Sequence, residues 1–136
     1  MSVELRILQM ARELIASHNH AQRQYAKFNN KPVYQYLTQP VDSWGIQGAI
    51  SFATNALETT DKAAGVNIFT PYYVLGNRLV MKMMAIKGCN VGRDQFIGQW
   101  EDLPTTTKED VLALFDLLIG DEVERIEFDE SMRGLW

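Results

Sequence analysis

Trp44-Gly45-Ile46-Gln47-Gly48-Ala49-Ile50 decides the fold class. With Phe52, Ala53, Ala56 and Leu57 it continues an apolar and small-residue pattern at helical spacing, which suits a helix largely enclosed by other elements. A glycine inside a helix costs about 1 kcal/mol relative to alanine. Two of them, Gly45 and Gly48, therefore imply that a neighbouring helix or hairpin comes close at this point. Pro40-Val41-Asp42-Ser43 precedes, with Asp42 or Ser43 as the expected cap. Glu58 to Asn67 reads as a polar loop.

Upstream, Val3, Ile7, Leu8, Ala11, Leu14 and Ile15 mark an amphipathic helix, with Ser2 as cap and Glu4 at the positive end of the helix dipole. His18-Asn19-His20 ends it, Asn by tolerating the left-handed conformation and His by bonding the last carbonyls. Two aromatic-rich runs around Asn29-Asn30, within about 22–37, predict a β-hairpin whose turn needs positive φ. Pro32 places the second run at an edge.

Downstream, Thr70-Pro71 predicts a helix start, with threonine as cap and proline in the first turn. Tyr72, Leu75, Leu79, Val80, Met83 and Met84 carry the helix to near Gly88, and Met81, off the main stripe, implies burial on more than one side. Trp100-Glu101-Asp102-Leu103-Pro104 reads as a turn, and Thr107 to Asp110 as a capping box before Val111, Leu112, Leu114, Phe115 and Leu118. Gly120 could break this last helix, or the tail could extend it. The expected fold is mainly α: a compact single domain of four to five helices with a small β-hairpin over residues 1–120, then an acidic segment over 121–136.

The order of these stretches resembles an uncharacterised family of small bacterial and phage proteins. In that family an amphipathic helix precedes a Tyr-Ala hairpin, a Trp-Cys-x-x-Gly-Ala-Leu helix and a Trp-Asn-Asp turn before a Thr-capped helix. Tyr25-Ala26-Lys27, Trp44 to Ile50 and Trp100-Glu101-Asp102 carry the likeness, which spans most of residues 5–119. Gly45 stands in place of the cysteine and Glu101 in place of the asparagine. The resemblance implies the fold and no activity.

At 136 residues the chain is long enough to bury a core without disulfides or metal. It has no apolar run near the ~20 residues of a membrane helix. The N-terminus lacks a signal-peptide pattern, and Cys89 is the single cysteine, so a cytoplasmic setting is expected. The net charge of −4 is uneven. Residues 1–100 hold 10 Lys+Arg against 6 Asp+Glu, a balance of +4, and residues 101–136 hold 3 against 11, a balance of −8.

No group converges for catalysis. His18, His20 and Cys89 lack a credible third or fourth metal ligand of a structural site, so neither metal nor cofactor is expected. Cys89 follows a helix C-terminus, which disfavours a reactive thiolate. Glu101 and Asp102 are adjacent and diverge, and Asp102 is assigned to bonding backbone N–H groups in its own turn. Gly88 to Arg93 lacks the end of a phosphate loop. Arg23, Lys27 and Lys31 interleave with Tyr25, Phe28, Tyr34 and Tyr36, but packing of these aromatics against a helix and the acidic chain both work against nucleic acid.

The sequence thus points to a non-enzymatic protein-binding module, as a phage accessory factor or inhibitor of a host protein would be. Its contact residues would be Asp121, Glu122, Glu124, Glu127, Asp129, Glu130 and Trp136, against a basic partner. Trp44, Gly48, Trp100 and Asp102 are assigned structural roles. Two other readings are a small-molecule binder or minor enzyme, with a pocket between the Trp44 helix and the Trp100 turn, and a homo-oligomeric structural protein.

Overall fold

Ser2 opens the first helix, its hydroxyl accepting the Leu5 N–H at 3.1 Å. The computed structural model describes residues 2–89 and 97–135. Helix α1 (Val3–Ser17) buries Leu5, Ile7, Leu8, Ala11 and Ile15, the spacing that the sequence pattern predicts. His18 Nδ1 bonds the Leu14 carbonyl, as expected at a helix end. Asn19 does not turn left-handed. It is extended and begins strand β1 (Asn19–His20).

The hairpin forms from β2 (Ala26–Phe28) and β3 (Lys31–Pro32). Asn29 and Asn30 at its tip have φ of 51° and 65°, the paired left-handed geometry that a two-residue hairpin turn requires. The hairpin is part of a larger sheet. Ser43 and Trp44 form a fourth strand, β4 (Ser43–Trp44), rather than the cap and first residue of a helix. Strand order is β1-β4-β2-β3, with β1 and β4 parallel and the other pairs antiparallel. Pro32 accordingly lies on an edge, where a missing N–H costs no ladder bond.

Helix α2 (Ile46–Ala63) starts one residue after Gly45, the cap, and runs through Glu58 into the stretch read as a loop. The glycines are explained by close approach. A Cβ on Gly48 would meet the Tyr25 carbonyl oxygen at 2.0 Å, and one on Gly45 the Gln24 carbonyl oxygen at 2.5 Å. Glu58 replaces the expected threonine cap of the next helix. Pro71 is the cap residue of α3 (Tyr72–Ile86), and the Tyr72 N–H donates to Glu58 Oε2. Met81 of α3 faces solvent, so this helix is not enclosed on that side. Its C-terminus closes on Gly88, with φ of 67°.

A short helix α4 (Gly98–Glu101) leads to α5 (Lys108–Met132), and a single 3-10 turn (Arg133–Leu135) follows. Thr107 and Asp110 form the predicted capping box. Gly120 does not interrupt α5. Helix α1 packs against α2, α3 and α5. It runs antiparallel to α5: Lys108 Nζ donates to the Ala16 and His18 carbonyls, Arg12 pairs with Asp116, and Ser2 donates to Glu122 Oε1. Among the described residues, no helix is long and apolar enough to cross a membrane.

Candidate functional site

Two regions concentrate polar chemistry, one at each end of α1. At the sheet end, β1 delivers His20, α4 delivers Glu101, and α2 presents its first N–H. Glu101 Oε2 lies 2.7 Å from His20 Nε2 and accepts the Ile46 N–H at 2.8 Å. Both side chains are 7% exposed. Burial pushes the Glu101 carboxyl above its ordinary range, and the charge of Asp102 adds to this. His20 and the Ile46 N–H pull the other way. Because the Ile46 N–H can only donate, the shared oxygen acts as an acceptor, and the arrangement orients the imidazole.

The same junction is tied by side-chain-to-backbone bonds. Gln22 Nε2 donates to the Glu101 and Leu103 carbonyls, each at 3.0 Å, and to that of Thr106 at 3.3 Å. Asp102 does not bond its own turn. Its Oδ1 accepts the Arg23 N–H at 2.6 Å, and Arg23 itself has φ of 67°. Asp102 thus holds a distant loop, which sequence distance hid. Trp100, partly buried, lies under the Lys87 ammonium at 4.5 Å, and its carbonyl accepts the Thr106 hydroxyl. Trp44 is buried between Tyr36 and Phe52, with ring centroids at 5.9 and 5.2 Å. Its Nε1 has no hydrogen-bond partner among the described residues.

The space between the start of α2, the β1–β2 loop and the Trp100 turn is about 90 Å³, lined by Gln47, Gly98, Glu101 and Asp102 among others. His18 and His20 take separate partners, and among the described residues no three His, Cys, Asp or Glu side chains are grouped to hold a metal. Cys89 is buried at the end of α3. The glycine-rich stretch after it lies outside the described residues.

The other end is the acidic one. The buried residues of α5 stop at Glu122, and the helix continues for ten residues, about 15 Å, beyond it. Asp121, Glu124, Glu127, Asp129 and Glu130 are exposed, and Phe128 is 61% exposed among them. Glu122 departs from the expected contact set: it is buried and points inward. It accepts from the Ser2 hydroxyl and pairs with Arg125, whose guanidinium holds the carboxyl below its usual range. Arg125 also pairs with Asp129. Trp136 lies outside the described residues. Beside this segment, α3 and α5 flank a groove of about 390 Å³ lined by Leu79, Ile86 and Leu118 and rimmed by Lys82, Asp121 and Arg125.

A family model described as a family of unknown function (DUF6197) matches residues 3–121. The chain belongs to that family. Its match covers the sheet, the Glu101 junction and the first half of α5 and ends where the exposed acidic segment begins. No curated protein and no solved structure matches the chain.

Proposed function

We propose that this protein is a non-enzymatic binding module whose projecting α5 segment engages a basic protein surface, in the manner of a phage accessory factor or inhibitor acting on a host protein. The observation that carries the reading is the exposed Phe128 set among Glu124, Glu127, Asp129 and Glu130 on a helix that has left the body. On this segment the carboxylates would attract a basic surface and Phe128 would add an apolar contact. An amphipathic basic helix would pair its cations with these carboxylates and place an apolar side chain in the adjoining α3–α5 groove, a familiar helix-in-groove mode.

The segment lies beyond the family match, so the partner would be particular to this chain or to close relatives. Self-association through the same face is disfavoured, because two copies would bring like charges together. The test is an NMR titration of the full chain with a helical peptide of lysines and leucines at amphipathic spacing. Saturable shifts confined to 117–132, Leu79, Lys82 and Ile86, weakened by salt, are expected. Absent or uniformly spread shifts would contradict the reading.

A further inference from the structure

We propose that the hairpin end of the molecule binds a nucleotide unit, with its base stacked on tyrosine and its phosphate held by Arg23. A surface cavity of about 440 Å³ is lined by Arg23, Gln24, Tyr25, Val33, Tyr34 and Tyr36, a size suited to a small ligand. Tyr36 packs against the core, as the sequence suggested, whereas Tyr34 and much of Tyr25 stay open to solvent. Tyr34 is 81% and Tyr25 49% exposed, and Phe28 on β2 is also open to solvent.

The platform is nonetheless anchored. Tyr25 lies against Tyr36 with ring centroids at 6.3 Å, Tyr36 meets Trp44 edge-on, and Trp44 meets Phe52 in the core. Such a chain fixes ring orientation before a ligand arrives, which lowers the ordering cost of binding.

Among the described residues, Arg23 is the one charged side chain that lines this cavity. Arg23, Lys27 and Lys31 fall in a stretch without Asp or Glu, and the carboxylate that follows it, Asp42, turns to the hairpin tip and accepts the Asn29 N–H. Among the described residues none of these three cations makes an ion pair. Asp102 and Glu101 line the adjoining smaller space and not this cavity. Asp102 accepts the Arg23 N–H, so it fixes the backbone from which the guanidinium extends. The acidic segment of α5 lies beyond the far end of α1, more than a Debye length away along the ~22 Å of that helix. The acidic run of α5 therefore adds little to the potential at this cavity.

An anionic ligand with a planar face meets both requirements. Guanidinium groups match phosphate oxygens bidentately, and tyrosine faces accept any base by stacking. The bases of a duplex are already stacked on one another, so the ligand is a free nucleotide or a nucleotide within a single strand.

The test is a fluorescence titration of the full chain with AMP, UMP, a single-stranded decamer, the corresponding duplex and polyglutamate, at two salt concentrations. Binding of the single-stranded decamer or a mononucleotide is expected, weakened roughly tenfold in Tyr34→Ala, whose native ring is nearly free of contacts. Arg23→Gln should weaken binding and reduce its salt dependence. Mononucleotides binding as tightly as the decamer would assign the site to free nucleotides, and binding of the decamer alone would assign it to single strands. No binding at millimolar ligand, equal binding of duplex or polyglutamate, or a Tyr34→Ala chain that folds and binds unchanged would overturn the proposal.

Discussion

Glu101 and His20, 81 residues apart in sequence, meet at 2.7 Å in a nearly dry junction where the same carboxylate oxygen also accepts the first N–H of α2. Removing the carboxylate would leave an imidazole and a backbone donor buried without their partner. Glu101→Ala is expected to lower stability by about 3 kcal/mol, measured by urea unfolding. Glu101→Gln keeps an acceptor for Ile46 and should cost clearly less. Equal losses in the two variants would show that the oxygen itself is unimportant.

The pH dependence of stability should carry contributions of both signs, of which Glu101 and Asp61 are examples. Burial, the main cause, raises the Glu101 carboxyl in the folded state, with His20 and Asp102 as the charged neighbours. The unfolded chain then releases this proton first, so stability falls as pH rises from the ordinary value of 4.5 toward the raised one. Asp61 has the opposite sign. Hydrogen bonds from Arg6 and then Tyr72 lower it from 3.8 to about 2. Its contribution is complete above 3.8 and lost as pH falls toward 2. Thermal unfolding of Asp61→Asn should show a smaller loss over that acid window, and Glu101→Gln a flatter slope above 4.5. A wild-type slope retained in each variant would contradict the assignments.

Two glycines in helices should respond in opposite directions to alanine. Gly48→Ala drives a Cβ into the Tyr25 backbone carbonyl, which cannot rotate away, and is expected to cost about 3 kcal/mol. At Gly120 a Cβ meets nothing, so Gly120→Ala should stabilise the chain by up to about 1 kcal/mol. Chemical denaturation of both variants checks the pair. A neutral Gly48→Ala would mean that α2 and the hairpin loop separate easily.

The capping box of α5 gives a smaller, local effect. Thr107→Ala removes the acceptor of the Asp110 N–H and should cost about 1 kcal/mol in urea unfolding. A change within experimental error would show that solvent replaces the cap fully.

Features set by neighbours in sequence were legible from sequence. The Ser2 cap, the Asn29-Asn30 turn, the Gly88 stop and the Thr107 box each depend on a few consecutive residues. Strands β1 and β4, two residues each, were not, because their pairing joins Asn19 to Ser43 across the hairpin. That pairing turned Ser43-Trp44 from an expected helix start into a strand, and the polar run after Glu58 became the last turns of α2. The candidate sites follow the same division. The acidic run was readable from composition, but the inward turn of Glu122 depends on Ser2, 120 residues away. The Glu101–His20 contact had no sequence signal, since each residue alone reads as an ordinary polar group near a turn. The exposure of Tyr25 and Tyr34 was equally hidden, because aromatic runs look alike whether packed or open.

Affinity capture from the cell of origin would show whether α5 beyond Glu122 docks a basic partner. The wild-type chain is compared with a Glu124→Gln, Glu127→Gln, Phe128→Ala, Glu130→Gln variant, and bound proteins are quantified by mass spectrometry. The variant is expected to keep the helical circular dichroism of the wild type and to lose a basic protein that the wild type retains in a salt-sensitive manner. The same basic protein captured equally by both chains, or no protein specific to the wild type, would contradict this docking.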